Sequence, residues 1–501
     1  MSAARFSDLV DETVSISSSV SPTPTERSPL LPGKLAEERN GSWKTEFRWL
    51  LFNSLPVIGT YLLQISLQLA SIFTLGHLGP TELAAAALAS MFCNVSAWSV
   101  AFGTATALDT LCSQAWTGAR DKTLVGVHLQ RALVILSLMF IPIAIVWWNA
   151  THILLALNQE HDLAYLAGLF LKYLMLGAPA FIAFEAVKKY LQAQSIMQAS
   201  TYVLLIASPL NFGLNYILVH WEPFRLGFIG APLATSISYW VMLILLLLYI
   251  KYVRGSEAWG GWSPDAFKDW WPFMRLAIPG ILMVCSEWWA FELAALAASY
   301  LGTVDLAAQS ILLTSASATY TIPYGISVAA SNRVGNAMGE ALAQKARKAS
   351  MMALIFAVAF SLINSLFFLT TRSFYGYLFT SDEDVVARVA HILPLCALFQ
   401  IADGLCGVSG GVIRGLGRQK VAAWINLIAY YVVALPLGYP MTFHSGWGLM
   451  GIWIALSIAL FVGAFGEVLF LFTINWDAEV RRTHERVKEE EHLIHEESDI
   501  A

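Results

Sequence analysis

The sequence predicts an all-α polytopic membrane protein: twelve transmembrane helices forming two six-helix bundles of parallel orientation. Three observations carry this. The chain is 57% apolar and only 13% charged over 501 residues, a balance foreign to soluble domains of that length. Twelve apolar runs follow one another, each long enough to cross a bilayer. A shift of about 223 residues lays the second half of the chain on the first.

Residues 1–45 are rich in Ser, Pro, Thr and charge, a composition expected to stay disordered. Within them, Glu26-Arg-Ser-Pro-Leu30-Leu31 has the acidic dileucine pattern that clathrin adaptors read on the way to endosomes and vacuoles. An N-lobe follows over 46–253, with spans near 48–75, 83–108, 124–147, 163–187, 199–219 and 228–252. Residues 254–270 connect it to a C-lobe over 271–476, with spans near 271–301, 305–331, 349–371, 386–413, 420–442 and 448–475. The last stretch, 477–501, reads as a charged, solvated helix.

With the N-terminus inside, 26 of the 30 Lys and Arg residues fall on the cytosolic side. The bias recurs at every even-numbered connection, so it predicts cytosolic termini and supports the count of spans. The repeat register places Pro56 on Pro279, Gly79 on Gly302, Glu82 on Asp305 and, after one deletion, Phe102-Gly103 on Tyr324-Gly325. Six spans separate equivalent positions, so both halves share one orientation, an architecture known for transporters. The five cysteines lie in or near apolar runs without paired spacing and read as buried thiols. No metal or cofactor motif occurs in the sequence.

Glu287 is the residue with the sharpest claim to function. It lies on the order of 24 Å into its span at about 1.5 Å per residue. A carboxylate there is costly unless it faces a cavity, finds a partner or carries a proton. Packing glue through a hydrogen bond is the bland alternative. Asp403 sits at comparable depth in the tenth span, and the two acids can face a common cavity. Glu292 is five residues from Glu287, about 140° around the helix, and nearer the outer surface. Asp109 suits a capping role, Glu185 an ion pair with Lys188 or Lys189, and Glu467 a packing role. Glu287 falls opposite Gln64 in the repeat, so the ionisable chemistry is expected in the C-terminal half alone. Trp288, Trp289, Phe291, Tyr320 and Tyr324 offer rings for cation–π contact, against a background of aromatics that simply pack.

Several stretches together resemble the eukaryotic branch of the multidrug and toxic compound extrusion (MATE) family. They are Thr104-Ala-Thr-Ala-Leu-Asp-Thr-Leu-Cys-Ser-Gln-Ala115, Ser286-Glu-Trp-Trp-Ala-Phe-Glu292, Val328-Ala-Ala-Ser-Asn-Arg-Val-Gly-Asn336, Ser409-Gly-Gly-Val-Ile-Arg-Gly-Leu-Gly-Arg-Gln-Lys420 and Tyr430-Tyr-Val-Val-Ala-Leu-Pro436. The resemblance covers about 45–475. It implies a V-shaped pair of bundles and proton-coupled export of organic, often cationic, compounds. It maps the family's two acids of the Glu-Trp-Trp motif to Glu287 and Glu292, the tenth-helix acid to Asp403, and an Ala-Gln pair to Gln309. Some animal members carry Glu where this chain has Asp305 and Asp403. Prokaryotic relatives place a coupling aspartate on the first helix, where this chain has Gln64 and Gln68.

The reading is therefore a proton-coupled exporter with Glu287 and Asp403 as coupling acids. Glu292, Asp305, Gln309, Trp288 and Tyr320 form a secondary set. The expected partners are protons, small organic cations, the bilayer and a clathrin adaptor, with no nucleic acid, no cofactor and a monomeric chain. An acidic organelle such as the vacuole is the expected membrane, with the cell surface second. A lipid-linked oligosaccharide flippase shares the bundle pair but lines its cavity with basic residues, which are scarce at midplane here. A membrane-embedded enzyme would need His/Asp clusters within the spans, and none occurs in the sequence.

Overall fold

Fifteen helices follow one another in the structure, a computed structural model that describes residues 41–498. The dileucine residues Glu26, Leu30 and Leu31 lie outside the described residues. The first half comprises α1 (Trp43–Gly76), α2 (Pro80–Gly118), α3 (Leu124–Trp148), the short α4 (Ala150–Ala156), α5 (His161–Leu174), α6 (Ala178–Ala193), α7 (Ala199–His220) and α8 (Gly230–Tyr252). The second comprises α9 (Trp270–Ser299), α10 (Thr303–Gly339), α11 (Ala343–Thr371), α12 (Glu383–Leu416), α13 (Gln419–His444) and α14 (Leu449–Thr473), with α15 (Trp476–Ser498) behind it.

Among the described residues, ten helices are long and apolar enough to cross a membrane. The pair α5 and α6, bent by 55°, makes an eleventh span. The twelfth is α10, which is 37 residues long but dotted with Ser, Thr and Asn. It tolerates those polar residues because it packs against α2, α11, α12 and α1 instead of lipid. Leu51, Phe52 and Leu55 on α1 and Leu362, Ile363 and Leu366 on α11 point outward, as lipid-facing side chains do.

The two halves exchange their first helices. The apolar core of the first half runs from Leu67 and Leu75 of α1 through α2–α8 to Phe273, Leu276 and Ala277 at the start of α9. The far end of α9, at Ala290, Ala294 and Ala298, belongs to the core of the second half. Conversely, Leu50 near the start of α1 packs with Val334, Ala349 and Val412 of α10, α11 and α12. Each first helix thus crosses from one half to the other, and glycine marks both crossings. A Cβ on Gly103 of α2 would lie 2.5 Å from the Ile281 Cα of α9. A Cβ on Gly325 of α10 would lie 3.2 Å from the Ile58 Cα of α1. Ile58 and Ile281 are equivalent in the repeat register, as are the two glycines. The duplication legible in the sequence is therefore also a duplicated contact.

A seam of small residues joins the halves where the chain termini converge, which we call the terminal face. Gly118 of α2 and Gly339 of α10 approach so closely that a Cβ on Gly118 would lie 3.1 Å from the Gly339 carbonyl oxygen. Within the second half, Gly411 and Gly415, one turn apart on α12, receive Ser327 and Ser331 of α10 beside that seam. Paired small residues let backbones approach and are the usual way helices associate in lipid. Glu46 of α1 accepts from Arg333 of α10 at 2.6 and 2.8 Å, closing the same face.

The helix at 476–498 is docked, in contrast to the solvated extension expected from its charge. Val480 and Val487 are buried, and Glu479 accepts from Arg418 at 2.8 and 2.6 Å. Glu490 lies 3.2 Å from His128 Nε2 of α3, and Arg486 donates to Gln114 of α2. Its charges are spent on partners from both halves, a pattern that periodicity alone cannot reveal.

Candidate functional site

Glu287 projects from α9 two turns beyond the kink-prone Pro279 and the close-packed Gly280. It lies within electrostatic reach of Asp403 on α12 and Glu467 on α14. Asp403 and Glu467 are buried, Glu467 completely, while Glu287 is half-buried. Glycines on α12 make room for the cluster. Gly407 seats the Tyr320 ring, which a Cβ would meet at 2.8 Å, and Gly410 lies against Met283 and the Glu467 carboxylate. Tyr320 and Tyr430 flank the acids, and the Tyr320 ring lies tilted against Tyr324 with centroids 5.9 Å apart. Glu467 accepts a 2.5 Å hydrogen bond from Ser409, while its Oε1 has no hydrogen-bond partner. Asn426 and Tyr431 of α13 donate to the carbonyls of Met283 and Ser286, fixing the turn of α9 that carries Glu287.

The secondary set does not gather here. Glu292 faces Asn94 in the π-helical turn of α2, and Trp289 donates to the Val95 carbonyl at 3.2 Å in the same turn. Trp288 faces Phe102 of α2 at 5.7 Å. Asp305 pairs with Arg388 at 3.1 Å. Gln309 accepts from the Trp453 indole at 2.8 Å inside the second core. Of the residues singled out from sequence, Glu287, Asp403 and Tyr320 come together, joined by Glu467.

The first half holds ionisable groups that the repeat comparison overlooked. Gln64 donates to Glu185 Oε1 at 2.7 Å, and Lys188 donates to the same oxygen at 2.7 Å. The Lys188 ammonium also lies 4.5 Å from the centre of the Tyr61 ring. Asp109 is no helix cap: it is buried and accepts from Lys189 at 2.7 Å on both oxygens. Arg414, in the Ser409–Lys420 stretch, is buried and reaches Asp109 Oδ2 at 3.6 Å. The signal was present, since both sit in motifs that carried the resemblance. Only packing shows that α2, α6 and α12 bring them into register.

Comparison with known proteins places these features. The MatE family model matches twice, at residues 56–217 and 279–440, and the two matches begin 223 positions apart. The chain is 41% identical over 437 residues to an uncharacterized transporter of Schizosaccharomyces pombe, covering 87% of this chain and 81% of that one. It is 38% identical over 439 residues to multidrug and toxin extrusion protein 1 of Homo sapiens, covering 87% and 76%. The crystal structure of the eukaryotic MATE transporter AtDTX14 superposes with a TM-score of 0.84 at 31% identity, covering 89% and 99%. Twelve spans, a duplicated family match and this likeness together set the enzyme reading aside: the chain belongs to the MATE family, in its eukaryotic branch, and is a membrane transporter of the multidrug and toxin extrusion type.

Proposed function

We propose that the protein exports small organic cations from the cytosol in exchange for protons, with Glu287 and Asp403 as coupling acids and Glu467 as a third. The observation that carries this is the convergence of three carboxylates from α9, α12 and α14 inside an apolar bundle. Like charges so placed cannot all be ionised, so the site holds protons in a number that depends on its surroundings. An organic cation can take their place, with Tyr320 beside the acids for its face. The flippase reading lacks support, because its pyrophosphate needs a cluster of cations where this site has acids.

The Lys/Arg bias supports cytosolic termini, and an acidic organelle such as the vacuole would supply the proton gradient. Glu26, Leu30 and Leu31 would address the monomer there through a clathrin adaptor. Proteoliposomes with an imposed pH gradient and a panel of organic cations test the function. Uptake driven by the gradient is expected, and its loss in Glu287→Gln with the protein folded. Gradient-independent uptake by the unaltered protein would overturn the coupling.

A further inference from the structure

Arg414 stands between the seam and the acid cluster. On the seam side, its Nη2 donates to Ser327 Oγ at 2.8 Å. Its backbone carbonyl accepts from Thr110, and Gln114 donates to the Gly415 carbonyl at 2.8 Å, tying this turn of α12 to α2. Yet the Arg414 Nε is buried with no hydrogen-bond partner, because Asp109 Oδ2 at 3.6 Å is too far. Glu467 Oε1 is equally buried and without a nitrogen or oxygen donor, with the weakly donating Cys406 thiol of α12 beside the carboxyl. A Cβ on Gly410 would lie 3.8 Å from that oxygen, and Gly410 is one helical turn from Arg414 on α12. The buried donor and the buried acceptor thus belong to side chains that meet α12 one turn apart, at Arg414 and at Gly410. Each is costly to leave unpaired.

The charges fit the same picture. Asp109 and Glu185 are matched by Lys189 and Lys188, which leaves Arg414 as an excess buried cation. Buried charge of this kind requires a partner. The ionisable groups facing Arg414 are Asp109 from α2, Tyr320 and Tyr324 from α10, Glu467 from α14 and Glu287 from α9. Lys189 shares Asp109 with it.

We propose that Arg414 is a positioning residue with two alternative partners, Asp109 across the seam and Glu467 within the second half. With Glu467 neutral, the guanidinium stays on Asp109 and Ser327, and the terminal face is closed, as in this structure. Ionisation of Glu467 draws the guanidinium toward it, removes the cation that bridges α2 to α12 and loosens the seam. The charge state of the acid cluster thereby sets how readily the terminal face opens. This rests on the proposed proton coupling.

Ser113, buried at the seam against Gly335, supplies the reporter. The full chain carrying Ser113→Cys is reconstituted, and reaction with a membrane-impermeant maleimide from the terminal face is followed against pH. Labelling, divided at each pH by that of the same thiol in the denatured chain so that its own ionisation cancels, is expected to rise with pH as the acids lose protons. Glu467→Gln, close to isosteric, should remove that dependence and keep labelling slow. Asp109→Asn should raise labelling roughly tenfold at all pH values, since it removes the anion that Arg414 and Lys189 share on α2. Arg414→Gln should do the same and lose the pH dependence. Normalised labelling that stays pH-dependent in Glu467→Gln overturns the relay, as does Arg414→Gln labelling at the unaltered rate. Transport separates the two readings. If Glu287→Gln abolishes gradient-driven uptake while Glu467→Gln leaves labelling pH-dependent, only the relay fails. If uptake by the unaltered protein ignores the gradient, the coupling fails with it.

Discussion

Gln64 of α1 donates a 2.7 Å hydrogen bond to Glu185 of α6, and Gln64 stands at the repeat position that Glu287 occupies in α9. The first half therefore does hold a buried acid, but Lys188 at 2.7 Å neutralises it. Only a group that changes charge can couple binding to proton concentration. Gln64→Ala should thus alter packing or affinity and leave the pH profile of transport intact, whereas Glu287→Ala should flatten it. Transport measured from about pH 5.5 to 8.5 decides, a range that brackets protein carboxyls perturbed by burial. A profile flattened equally by Gln64→Ala would place the coupling site in the first half.

The acids of the second half should act as a unit. Glu287→Gln and Asp403→Asn are each expected to abolish most gradient-driven uptake, and the double variant to lose little more. Additive losses in the double-mutant cycle would mean separate sites.

The helix crossings predict a ranking of glycine substitutions. At Gly103 a new side chain meets the Ile281 backbone at 2.5 Å, which no rotamer change relieves. At Gly325 the nearest obstacle is the Ile58 Cγ1 at 2.4 Å, a side-chain atom that a rotation can shift, and the Ile58 backbone stands farther off, its N at 3.0 Å. Gly213 has nothing within 4 Å. Gly103→Val should cost about 1–3 kcal/mol or more, Gly325→Ala less, and Gly213→Ala nothing or a slight gain. Thermal unfolding of the purified protein in detergent gives the order.

Docking of α15 should be acid-sensitive. Burial pushes the Glu490 carboxyl up, but His128, with Arg486 and Arg131, more than offsets this and holds it below the usual carboxylate range. A lowered native value means that the stabilisation is present above the ordinary Glu value of about 4.3 and is lost as pH falls through the native one. Hydrogen exchange in α15 should therefore stay slow at neutral pH and quicken only in strong acid. Glu490→Gln should exchange faster at neutral pH, with that acid transition removed.

Localisation offers a direct check on the N-terminal motif. A tagged Leu30→Ala, Leu31→Ala variant is expected to move from the vacuolar membrane to the cell surface. A variant that stays in place, or an unaltered protein already at the surface, removes the motif from sorting.

Local pattern determined much of this protein. Span lengths, the two-fold register and the depths of Glu287 and Asp403 follow from hydropathy and counting, because a bilayer imposes the same length and polarity on every crossing helix. The motifs carried the family as well. Tertiary packing decided which groups meet. Residues 287, 403 and 467 lie on three helices, and no local periodicity specifies that α9, α12 and α14 face one another there. Nor could charge alone predict that Asp109 leaves a capping role for Lys189 and Arg414, or that α15 finds partners in both halves. Those outcomes depend on how closely two backbones approach, and glycines 103, 280, 411 and 415 set that distance only once their opposing residues are known.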